Sequence, residues 1–159
     1  MAKLIVLLIV LAAAALVVVA MRPPEQAHTD RATVLHVIDG DTLDVRIGAG
    51  SSVRVRLLGI DTPELGECFF VRATTAARRF ADGRAITLRR DPTQPARDRF
   101  GRTLAYVELS DGTDLGERMI VGGFARTFVV GRPFERVETY RRAETAARRL
   151  PRSIWRCPA

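Results

Sequence analysis

Residues 32–57 read ATVLHVIDGDTLDVRIGAGSSVRVRL, and this stretch decides the fold. Thr33 to Ile38 is β-branched and apolar, and Asp39-Gly40 follows as a turn signal. Leu43, Val45 and Ile47 then alternate with Asp44 and Arg46, a period of two. Gly48-Ala49-Gly50-Ser51-Ser52 is a second turn, after which Val53, Val55 and Leu57 alternate with Arg54 and Arg56. Turns this short join antiparallel neighbours, whereas a parallel crossover needs a dozen or more residues. The stretch therefore predicts a three-strand meander, with Arg54 and Arg56 on the face opposite the valines.

Downstream, Phe69, Ala73, Ala76 and Phe80 fall at helical spacing within 67–82, and Asp82-Gly83 ends that helix. Ala85 to Arg90 and Thr103 to Leu109 read as two more strands, joined by a loop bearing Pro92 and Pro95. Asp111-Gly112 is a turn before a short helix from Asp114 to Val121 that stops at Gly122-Gly123. A last helix, Phe134 to Arg149, carries Val137, Tyr140, Ala143 and Ala147 on one stripe. The order implies a mainly β fold with helices (α+β): a five-stranded OB-type β-barrel with three helices, over residues 32–157.

Upstream, residues 22–31 are polar and proline-bearing and read as a linker. Leu4 to Met21 is an unbroken apolar run of 18 residues after a single Lys3. It would span roughly 27 Å as a helix, near the thickness of a bilayer core. Residues 1–21 are thus a membrane anchor or a signal peptide, with Val18-Val19-Ala20 an imperfect cleavage site. Either way the remaining chain is expected outside the cytoplasm, anchored through residues 4–21 or secreted if the leader is cut. Two cysteines, Cys68 and Cys157, suit a disulfide in an exported chain; the alternative is two unrelated small apolar residues. With only two distant histidines, His28 and His36, they do not make a zinc site.

The formal net charge is +7, which favours a polyanionic partner. Of the 25 basic residues only Lys3 is lysine, so arginine composition alone distinguishes nothing and particular arginines must carry the argument. Three short clusters do. Ile38-Asp39-Gly40-Asp41-Thr42 could be an ordinary hairpin turn, although Asp41 exceeds what the turn requires. In Arg56-Leu57-Leu58-Gly59-Ile60-Asp61-Thr62-Pro63-Glu64 the end also suits a helix start, with Thr62 as cap and Pro63 first. Asp98-Arg99-Phe100-Gly101-Arg102 is, by composition, a charged loop. Taken together they supply hard oxygen ligands for a divalent cation and guanidinium groups for phosphate, the parts that phosphodiester hydrolysis uses.

In this order, and followed by Thr103-Leu104-Ala105-Tyr106-Val107 and Ile154-Trp155, the clusters resemble the staphylococcal nuclease (thermonuclease) family. The resemblance runs from about Ala32 to Trp155. It implies an OB-type barrel and calcium-dependent hydrolysis of DNA and RNA that leaves 3′-phosphate ends. It also implies that Asp41 and Asp61 ligate calcium, with Thr62 offering its backbone carbonyl. Glu64 would be the general base, and Arg56 and Arg102 the phosphate-binding arginines. The chain departs from the family pattern in three places. The segment between Glu64 and the first helix is short. Phe128 is the nearby aromatic where the family has pocket tyrosines. Arg99 stands where the family has lysine.

Two functions fit these residues: a monomeric nuclease acting on nucleic acid, and a non-catalytic OB module binding nucleic acid or another polyanion at the membrane. A module that only binds has no use for the carboxylates. A purely structural envelope protein leaves the three clusters unexplained.

Overall fold

The computed structural model describes residues 28–151 and 153–157. The apolar run and most of the expected linker lie outside them. Among the described residues no helix is long and apolar enough to cross a membrane.

Five strands close a barrel in the order β1-β2-β3-β6-β5. They are β1 (Thr29–Val37), β2 (Thr42–Ile47), β3 (Ser52–Leu57), β5 (Ala85–Arg89) and β6 (Thr103–Leu109). β1, β2 and β3 form the expected antiparallel meander. β1 starts at Thr29, inside the stretch read as linker, because Thr29 to Thr33 pair with Arg89 to Ala85 of β5. Closure requires one parallel pairing, β3 with β6, in which Arg56 stands opposite Leu104.

Alternation places Val34, Leu43, Val45, Val55, Leu57, Leu88 and Val107 in the core. In β1 the register shifts between Val34 and His36, so the next inward residue is Val37 rather than His36. That bulge sends the strand end toward the Asp39-Gly40 turn.

Three helices cover the barrel: α1 (Phe70–Ala81), α2 (Leu115–Val121) and α3 (Val137–Ala147). α1 buries a stripe of small residues, Ala73, Ala76, Ala77 and Ala81. The Asp114 carboxylate caps α2 by accepting from the Gly116 and Glu117 N–H groups. α3 turns Val137, Tyr140 and Ala147 inward. The Thr62-Pro63-Glu64 segment does not begin a helix. α1 starts only at Phe70, after Phe69 in left-handed backbone (φ 72°).

A second, two-stranded sheet pairs β4 (Ile60–Asp61) with β7 (Arg126–Thr127) beside the barrel. Between β3 and β4 the chain turns at Gly59 (φ +82°), where an added Cβ would meet the Phe134 ring at 2.5 Å. Only glycine combines that backbone with that packing.

Candidate active site

The barrel brings the first two clusters into contact. Asp41 ends the β1–β2 turn and is buried. Its Oδ2 accepts hydrogen bonds from the Thr62 N–H (2.9 Å) and the Thr62 hydroxyl (3.0 Å). The approach depends on Gly40, where a Cβ would lie 2.7 Å from Thr62 Oγ1. Burial pushes the Asp41 carboxyl up to about 6; the Arg56 guanidinium opposes that shift and Asp39 adds to it.

Arg56 is largely enclosed, its side chain 12% exposed. Nε sits 3.0 Å from Asp41 Oδ1 and Nη2 3.6 Å from Asp61 Oδ1. Nη1 donates to the main-chain oxygens of Leu57 (2.7 Å) and Ile60 (2.8 Å). The guanidinium therefore fastens β3 to β4 while standing between two carboxylates.

Asp61 has a second cation. Arg126, brought alongside by the β4–β7 pairing, donates to Asp61 Oδ2 from both Nε and Nη2 at 2.8 Å. Nothing in the sequence marks Arg126 among 24 arginines; its place follows from a two-residue pairing across 65 positions.

The third cluster faces the same cleft. Asp98 accepts from Arg102 Nε (2.6 Å) and from the Arg102 and Phe100 N–H groups (3.0 and 2.9 Å). Burial would raise the Asp98 carboxyl, but these bonds prevail and hold it below the usual carboxylate range. Phe100 is 68% exposed, with the Arg99 and Arg102 guanidiniums 4.7 and 5.3 Å from its ring centre.

A cleft of about 630 Å³ joins these parts, lined by Arg56, Asp61, Glu64, Asp98, Arg102 and Phe128 among others. Glu64 is exposed at this cleft. Its N–H donates to Glu67 Oε2 (2.8 Å), and its carbonyl accepts from the Glu67 N–H (2.9 Å). Of the six residues singled out for chemistry, Asp41, Thr62, Arg56 and Asp61 are linked by direct contacts, while Arg56, Asp61, Glu64 and Arg102 line the cleft and the buried Asp41 and Thr62 stand behind it. Among the described residues no three His, Cys, Asp or Glu side chains cluster closely enough to hold a metal alone. Cys68 and Cys157 are joined by a disulfide, with Cα atoms 5.8 Å apart.

Residues 54–157 match the family model described as staphylococcal nuclease homologue. The chain is 31% identical over 129 residues to a thermonuclease from Staphylococcus hyicus, covering 77% of this chain and 73% of that protein. It is 34% identical over 92 residues to an uncharacterised endonuclease from Escherichia coli (58% of this chain, 57% of the relative). To a micrococcal nuclease from Shigella flexneri it is 42% identical over 79 residues (48% of this chain, 41% of the relative). The chain spans about half the length of these last two curated relatives.

Proposed function

The chain belongs to the staphylococcal nuclease homologue family, and from that premise we propose that it is a nuclease, hydrolysing phosphodiester bonds of DNA, RNA or both with calcium as cofactor and leaving 3′-phosphate ends. The observation that carries this reading is Arg56 held between Asp41 and Asp61 at the edge of a cleft that Glu64 and Arg102 also line.

Calcium, when bound, supplies a Lewis acid that neutralises phosphate charge. Asp41, Asp61 and the Thr62 carbonyl would hold it. Their oxygens are hard donors, and the raised Asp41 carboxyl marks a buried acid whose charge Arg56 compensates incompletely. Glu64 accepts the proton of the attacking water as general base. Arg56 and Arg102 follow the negative charge that builds on the equatorial phosphate oxygens. Both guanidiniums rest on carboxylates in the free protein, Arg56 on Asp41 and Arg102 on Asp98, which orients them before substrate arrives.

We further propose that the domain acts as a monomer outside the cytoplasm, anchored through residues 4–21 or secreted. The apolar run and the disulfide support that location.

The test is digestion of plasmid DNA and of RNA by the full chain, with calcium or with chelator, beside Glu64→Gln. Cleavage that needs calcium and falls at least tenfold in Glu64→Gln is expected. Activity that persists in chelator overturns the metal requirement. Binding without cleavage under any divalent metal favours the non-catalytic module.

A further inference from the structure

We propose that the Cys68–Cys157 disulfide positions Glu64, so that turnover depends on an oxidised bridge. The inference rests on the nuclease reading above.

Glu64 differs from its neighbours in the site. Asp41, Arg56, Asp61 and Arg102 lie on or beside paired strands, and each is fixed by at least two bonds to other parts of the barrel or its loops. Glu64 lies in the connection from β4 to α1, where every residue from Glu64 to Cys68 is exposed and Leu65 is 83% exposed. Between Glu64 and Cys68 no side chain is buried against the barrel. Its fixed points are the Thr62 bonds to Asp41 at one end and, at the other, the disulfide together with the start of α1, where the Phe70 N–H donates to the Glu67 carbonyl (3.2 Å). Between them stands one exposed turn, closed by the two Glu64–Glu67 bonds. Exposed bonds of that kind open readily when nothing else restrains the ends.

The bridge reaches a rigid anchor. Cys157 follows a 3₁₀ turn, Ile154–Arg156, whose first N–H donates to the Gly123 carbonyl (3.0 Å). Ser153, just before it, is fully buried, and packs so closely that a Cβ on Gly123 would meet its Cβ at 2.7 Å. A cleft of about 390 Å³ between the two segments is walled by Asp61, Pro63, Cys68, Arg126, Trp155 and Cys157, among others. The disulfide and an expected metal ligand, Asp61, therefore line one cleft. Phe69, next to the bridge, has left-handed backbone (φ 72°), a conformation that a bulky residue keeps only when its surroundings impose it.

A displacement of about 1 Å in a catalytic group can lower a rate on the order of a hundredfold. Opening the bridge frees Glu64 but leaves the phosphate-facing arginines on the barrel. The expected signature is a fall in kcat with KM held.

The experiment compares the full chain oxidised, reduced by dithiothreitol, and as Cys68→Ser/Cys157→Ser. Each is kept well below its own melting temperature, with circular dichroism confirming the fold. We expect kcat to fall about tenfold or more and KM to stay within about twofold. In a Glu64→Gln background, opening the bridge should change kcat little. Hydrogen exchange should rise at residues 64–68 and stay constant in β1 to β3. An unchanged kcat in the folded, reduced chain overturns the proposal. So does an equal loss in the Glu64→Gln background, which a merely structural bridge would produce. Where the reduced chain fails to fold, two glycines inserted after Leu65 loosen Glu64 with the bridge intact; an unchanged kcat there overturns it too. If the oxidised chain cleaves nothing under any metal, the nuclease reading fails on its own. Hydrogen exchange still judges the bridge, and unchanged protection at 64–68 rejects it.

Discussion

Asp41 and Asp91 are two aspartates of nearly equal exposure, 5% and 4%, whose carboxyls shift in opposite directions. Asp91 receives the Tyr106 hydroxyl (2.5 Å), the Thr93 hydroxyl (2.6 Å) and the Thr93 and Glu135 N–H groups (2.8 and 2.7 Å). Burial pushes its carboxyl up, but these donors outweigh burial and hold it below the usual range. At Asp41 burial wins: the carboxyl, with Asp39 beside it, stays raised in spite of Arg56 and Thr62. Asp91 belongs to a polar cluster tying β6 to the segment before α3. There Arg136 also pairs with Glu108 and Asp114, and Tyr140 donates to Asp114. That cluster is satisfied and serves stability. The Asp41 cluster keeps a raised carboxyl, and its Arg56 and Asp61 line a cleft, a pattern frequent at functional sites.

The comparison is most sharply tested by Arg56→Ala against Asp91→Asn. Arg56→Ala should lower turnover about a hundredfold or more, because it removes a guanidinium aimed at transition-state charge. Asp91→Asn should leave turnover of the folded protein unchanged and lower stability by about 2 kcal/mol in urea unfolding. A large turnover loss in Asp91→Asn would break the distinction.

The next effect is on pH dependence in chelator. Asp41 has a folded pKa raised from 3.8 to about 6, so the folded state holds its proton longer than the unfolded chain. Its contribution must therefore weaken stability as pH rises from about 4 to about 6. Asp91 is lowered from 3.8; its stabilisation is full above that value and is lost as pH falls through its folded pKa. Urea titrations should show Asp41→Asn removing the decline in the first window, and Asp91→Asn flattening the acid limb. The smallest expected change concerns Arg126. Arg126→Gln relieves Asp61 of an exposed ion pair worth at most about 1 kcal/mol, so calcium affinity by calorimetry should rise no more than about fivefold.

What the sequence made legible follows from the range of each signal. The strands were readable because alternation is local, and each begins and ends within a residue or a few of where the alternation does. The three clusters were readable because each is contiguous. Arg126 was not, because β4 and β7 are two residues each and lie far apart in sequence. Asp98 was seen as part of a cluster, but its grip on Arg102 needed the loop geometry that Gly101 provides at φ +78°. The Thr62-Pro63-Glu64 segment misled in the other direction. Thr62 does use its hydroxyl, on Asp41 rather than on a helix end, and tertiary contact overrides the local capping preference.

The parallel pairing of β3 with β6 has a kinetic meaning. It joins strands almost fifty residues apart, and together with β1–β5 it closes the barrel. Arg102 lies just before β6, so its approach to the Arg56 strand waits on this non-local step. Contacts so distant along the chain form after local helices and hairpins, because loop-closure entropy must be overcome first. A nascent or half-folded chain can thus carry a complete hairpin and helices while Arg56 and Arg102 remain apart. The site is therefore assembled only with barrel closure, and a chain that has not closed the barrel lacks it.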